Sequence, residues 1–239
     1  MSEFNNYNVY EASGESLRTY INKVFIKMAS ALALTTVIAF LGYRSFFSGG
    51  LLFRFVTGSS FAFYGLMIVQ IGVVLALSFG LRKLSPTAAN ILFYVYAAIT
   101  GVTFSVLPLV FDISTIFTAF LFAAVLFASC AIIGYTTNVD LSRFRGLMLG
   151  GLVALVITSL LSLFIPILRD NLMISYLGLA IFLALTAWDM QKIRAYYYAT
   201  EGTSAMRANL ATYAALDLYL DFINIFLRVL QILGRNSKN

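Results

Sequence analysis

The chain has 239 residues, 61% of them hydrophobic and only 11% charged, with a formal net charge of +6. Soluble domains are roughly 45–50% apolar and about 25% charged, so this composition excludes an ordinary soluble protein and describes a polytopic membrane protein. The basic residues sit mostly at the ends of apolar segments, so membrane topology accounts for the positive charge and no nucleic-acid partner is expected.

Residues 1–20 (MSEFNNYNVYEASGESLRTY) form a polar N-terminal arm. No short apolar run follows a basic start, so no cleaved signal peptide is expected. Residues 21–239 read as a single transmembrane domain of seven apolar stretches, at about 24–43, 61–81, 89–109, 115–135, 146–165, 172–191 and 209–233. Each is close to the ~20 residues a spanning helix needs. The breaks carry turn-forming residues: SFFSGG at 45–50, RKLSP at 82–86, TTNVDLSR at 136–143, RDN at 169–171 and ATEGTS at 199–204.

Within this frame, Lys27 lies one turn into span 1, where its side chain is expected to snorkel to the interface. Arg82 and Lys83 end span 2, either as plain flanking charges or, for Arg82, as an ion-pair partner that latches the inner side. Cys130 is mid-segment and reads as a small apolar packing residue. Gly146 and Gly150 in span 5 have the four-residue spacing that lets helices approach closely in lipid.

Three aspartates then fall within 33 residues of the last two spans: Asp189 in LALTAWDMQ, and Asp217 and Asp221 in AALDLYLDFIN. A carboxylate at membrane depth costs about 2.5 kcal/mol or more, and such residues mark ion paths, proton relays or catalysis. Asp217 and Asp221 are four apart and share a helix face, which Asn224 extends. Counted from Gly202, Asp189 lies 13 residues before the turn, Asp217 15 after and Asp221 19 after. That arithmetic pairs Asp189 with Asp217, with Asp221 about 6 Å deeper. A loop longer on the span 7 side brings Asp221 level instead.

The chain has no histidine, so proton sensing near neutral pH falls to carboxylates. Two carboxylates in one dehydrated site do not both ionise readily; the pair then holds a proton and titrates as a unit. Asp189, Asp221 and Asp217 also make a candidate set of hard oxygen ligands for calcium. The plainer reading is that the aspartates hold helices together by hydrogen bonds to Tyr, Asn or Arg82.

The runs TAWDMQKIR at 186–194 and LYLDFINIFLRVLQILG at 218–234 resemble the two signature segments of the Bax inhibitor motif family. GYTTNVDLS at 134–142 and YAAITGVTFS at 96–105 resemble stretches of its bacterial inner-membrane members. The resemblance covers nearly the whole chain beyond residue 18. It implies a seven-helix bundle with the last helix central, and a pH-sensitive calcium leak channel of the inner membrane. By motif matching it implies that Asp189 and Asp221 form the di-aspartyl proton sensor and that Arg82 is their latch partner. Calcium and protons are then the transported and sensed species, and no cofactor is expected. An alternative from the same resemblance is a regulator that binds a membrane-bound protease.

Two positions depart from the family pattern: Trp188 stands where Tyr is expected, and Asp217 is an additional acid. An intramembrane aspartyl protease, the third reading, would carry Gly-x-Gly-Asp. Leu218, Tyr219 and Leu220 precede Asp221, and Ala214, Ala215 and Leu216 precede Asp217, so no enzymatic activity is expected.

With seven spans, Arg18, Lys23, Arg82, Lys83, Arg143, Arg145, Lys192, Arg194 and Arg207 share one side. Arg44, Arg54, Arg169, Arg235 and Lys238 take the other, with Arg228 near it. The bias places the N-terminus in the cytoplasm and the C-terminus outside. Reporter fusions after Lys23 and after Asn239 are expected to report opposite sides; both ends on one side would remove the seven-span arrangement.

Overall fold

The structure is a computed structural model that describes residues 16–50, 65, 69–70, 72–73, 84–162, 165, 171–199 and 204–236. Among them lie six long helices: α1 (Leu17–Phe47), α2 (Pro86–Phe104), α3 (Ile113–Thr136), α4 (Arg145–Leu161), α5 (Leu172–Ala199) and α6 (Ser204–Asn236). Two short 3-10 turns, Leu107–Leu109 and Leu141–Phe144, precede α3 and α4. The described residues contain no strand. Helices α1 to α5 are each long and apolar enough to cross a membrane, α2 and α4 together with their adjoining 3-10 turns. Most of the predicted second span, with Arg82 and Lys83, lies outside the described residues, as do residues 1–15 of the arm.

Local signals set the helix ends. Ser16 caps α1, its Oγ accepting from the Thr19 amide. The helix therefore takes in residues 17–20, which the sequence reading had assigned to the polar arm. Tyr20 is fully buried, 5.7 Å from the Tyr197 ring. At the other end Gly49 adopts φ +62° and the Gly50 amide returns to the Ser45 carbonyl, a left-handed stop that a side chain would oppose. Ser85 caps α2 through the Ala88 amide, with Pro86 in the first helical position. Asn171 Oδ1 accepts from the Met173 amide at the start of α5.

Packing follows the small residues. The buried face of α3 reads Ala119, Ala123, Phe127, Ala131 and Gly134, and that of α2 reads Ala89, Phe93, Ala97, Thr100 and Gly101. Such faces let backbones approach closely where lipid supplies no hydrophobic drive. Helix α6 packs against α1, α2, α3 and α5, and no described side chain from Asn209 to Leu230 is exposed. Around it, Tyr219 sits edge-on to Phe93 and Tyr96, and Phe222 edge-on to Phe120 and Phe127.

Two sequence expectations change. Gly146 and Gly150 face open space, and the glycine of α4 in contact with a neighbour is Gly151, against Ile181 of α5. Among the described helices, α4 packs mainly on α5. Lys27 does not snorkel: its Nζ donates to Asn90 Oδ1 of α2 and, at 3.2 Å, to Thr212 Oγ1 of α6. Protein acceptors within reach replace the interface as its solvent.

The closest backbone approach is at Gly134, where an added Cβ would overlap the Ala187 carbonyl and lie 2.7 Å from its Cα. Gly134→Ala is expected to destabilise the protein by about 1–3 kcal/mol through overpacking against backbone. Gly150→Ala, in open space, is expected to be neutral or to stabilise by up to about 1 kcal/mol. Thermal unfolding of both variants in detergent checks the contrast.

Candidate functional site

Helices α5 and α6 are consecutive and antiparallel, so the polar turn of TAWDMQK faces the polar strip of LDLYLD. Asp189 and Asp221 are both buried, at 6% and 5% exposure, and lie near enough for each charge to act on the other. Asp217 is at the rim, its side chain 34% exposed. Between them stands Lys192, whose Nζ is 2.8 Å from Asp189 Oδ1 and 2.9 Å from Asp217 Oδ2. The contact to Asp217 is a hydrogen bond and the contact to Asp189 is an ion pair. No donor among the described residues reaches Asp221 Oδ2. The Lys192 ammonium also lies 4.7 Å from the centre of the Trp188 ring.

Thus both candidate partners of Asp189 are in the cluster, by different routes. Asp217 reaches it through a shared lysine and Asp221 through direct proximity. Among the described residues no group of three Asp, Glu, His or Cys side chains is disposed to hold a metal ion. Lys192 occupies the space between two of the three acids proposed as calcium ligands. Arg82, the proposed latch, lies outside the described residues.

The supporting contacts join the four sequence segments that carried the resemblance. Thr35 Oγ1 donates to the Ala97 carbonyl at 2.9 Å and meets the Tyr219 hydroxyl at 2.8 Å. This fixes α6 against α1 and α2 two residues before Asp221. Thr186, one turn before Asp189, is fully buried and donates to the Phe182 carbonyl. Gln191 clamps the loop between α3 and α4: its Nε2 donates to the Val139 carbonyl at 2.7 Å and its Oε1 accepts from the Leu141 amide at 3.0 Å. Arg194 donates to the Tyr135 carbonyl at 3.1 Å. In the same loop Asp140 accepts from the Ser142 amide, and hydrogen bonding by Ser142 holds its carboxyl below the usual carboxylate range.

Sequence reasoning counted Lys192 only as a topology charge and gave Gln191 no role. The signal for Lys192 was its three-residue spacing from Asp189, which puts both on one helix face.

An all-helical set of apolar spans enclosing a buried acid–lysine cluster defines a multi-pass membrane protein with a polar site between its last two helices. The family described as "Inhibitor of apoptosis-promoting Bax1" matches residues 17–238, and the chain belongs to this Bax inhibitor-1 family. The inner membrane protein YbhL of Escherichia coli is 35% identical over 220 residues, 91% of this chain and 92% of that protein. A membrane protein of Streptococcus pyogenes serotype M3 is 33% identical over 233 residues, 98% of this chain and all of that protein. A protein of Rickettsia prowazekii is 34% identical over 220 residues, covering 92% and 91% of the two chains.

The Gln191 clamp makes a local prediction. Gln191→Ala removes two hydrogen bonds to loop backbone, each worth about 1 kcal/mol. Hydrogen exchange at Leu141 is expected to rise about tenfold or more, with exchange along Leu216–Phe226 of α6 unchanged.

Proposed function

We propose that this protein is a pH-sensitive calcium leak channel of the bacterial inner membrane, with Asp189 and Asp221 as its proton sensor. The observation that carries this reading is the burial of two carboxyls near each other on neighbouring helices, with an oxygen of Asp221 that receives no hydrogen bond among the described residues. Two ionised carboxylates so placed repel each other without water to screen them, whereas one shared proton turns the repulsion into a hydrogen bond. Protonation therefore biases how closely α5 and α6 pack. Family membership supports the same reading.

The full arrangement proposed is seven spans with α6 at the centre, the N-terminus cytoplasmic, and Arg82 latching the inner side. The enclosure of α6 by α1, α2, α3 and α5 is what supports a central last helix. Calcium is cargo in this reading, met by carboxylate oxygens along the α5–α6 contact, and the protein is not an enzyme. The alternative of a protease regulator rests on the polar arm, whose first 15 residues lie outside the described residues.

Calcium flux from purified protein in liposomes, measured against pH, tests the proposal with no partner present. Asp189→Asn and Asp221→Asn are each expected to flatten the pH response, and the double variant to be no worse than the worse single. Groups acting as one unit show that non-additivity. Additive effects, or flux indifferent to both residues, would sink the sensor assignment.

A further inference from the structure

A sensor made of two carboxyls has no need of a third acid or of a lysine, yet both are in this cluster. Trp188 and Asp217 meet at the same atom, the Lys192 ammonium. Lys192 in turn stands 2.8 and 2.9 Å from an oxygen of Asp189 and one of Asp217. A calcium ion sits about 2.3–2.6 Å from its oxygen ligands, so an ion bound between these two acids would take nearly the place the ammonium takes. The buried Asp221 adds an oxygen, Oδ2, that no described donor satisfies.

We propose that Lys192 is a tethered counter-cation seated where a divalent ion would bind between Asp189 and Asp217, so that calcium enters this site only by displacing the ammonium. This rests on the reading of the site as a calcium path. The displacement has a route. Lysine carries its charge on a flexible four-carbon stem, and the Lys192 side chain is 25% exposed, on the side of the rim acid Asp217. The Trp188 face, 4.7 Å from the seated ammonium, adds a cation–π contact that displacement must weaken. Lys192 then sets the affinity of the site, and Asp217 and Trp188 set how firmly Lys192 stays in it. Such a plug favours ions that can pull two carboxylates from a lysine, which selects divalent over monovalent cations.

The test measures equilibrium binding of radioactive calcium to the purified full-length protein in detergent, alongside liposome flux. Lys192→Met removes the competing charge and is expected to tighten calcium binding by about tenfold or more, a contact-distance charge effect. Lys192→Arg keeps the charge and is expected to keep binding weak. Adding Asp217→Asn to Lys192→Met is expected to lose most of the gain. Should Lys192→Met fail to fold, Lys192→Gln, which keeps a donor to both acids, takes its place. Unchanged or weaker binding in a folded neutral variant overturns the proposal, as does an equal gain in Lys192→Arg. If flux ignores Asp189 and Asp221 while Lys192→Met still tightens binding, the leak reading fails and the counter-cation stands. If flux depends on both acids and binding ignores Lys192, the reverse holds.

Discussion

The arrangement of this protein depends on keeping the carboxylates of α6 away from lipid. Helix α6 carries Asp217, Asp221 and Arg228, charges that are costly against hydrocarbon and tolerable inside a protein. Helices α1, α2, α3 and α5 supply that interior, with rings of α2 and α3 set against Tyr219 and Phe222 of α6. The outward faces of the wrapping helices stay apolar, as the exposed Phe40, Val125 and Leu177 illustrate. Enclosure makes the polar strip affordable and also keeps its deeper acid, Asp221, from water, so interactions at that carboxyl are stronger than they would be at a surface.

Among the described residues, many polar ties between helices lie toward the two ends of the bundle. At one end are Lys27 with Asn90 and Thr212, the Lys192 cluster, and the Gln191 and Arg194 clamps. At the other, Ser175 donates to Gln231, which also accepts from Arg228, whose guanidinium lies over Gly178. The middle is held by rings and by the Thr35–Tyr219 contact. Apolar packing tolerates small sliding, while end ties resist separation.

Much of the helix plan was legible in the sequence, because about 20 apolar residues bounded by turn formers leave few other readings. Span edges were less legible. The Ser16 cap extends α1 upstream of its apolar run, and α5 continues through QKIRAYYYA after its apolar stretch ends. The three acids were visible because charge in an apolar run stands out. Lys192 was not, because a basic residue near a span end has a ready explanation in topology. Its role appears only once α6 brings Asp217 to it. Gly146 and Gly150 show the opposite error: a spacing that permits contact says nothing of whether a neighbour is there.

The Gly134–Ala187 contact has a mechanical consequence. Backbone meets backbone there, with no side chain between them to act as a cushion, and Ala187 is two residues from Asp189. The Gln191 bonds fasten the same stretch of α5 to the loop that follows α3, and the Arg194 bond fastens it to the last turn of α3. Asp189 is thus held to α3 and to the loop at residues 137–141 as well as to its own helix, and α5 cannot shift relative to α3 without breaking this backbone contact and the Gln191 and Arg194 bonds together.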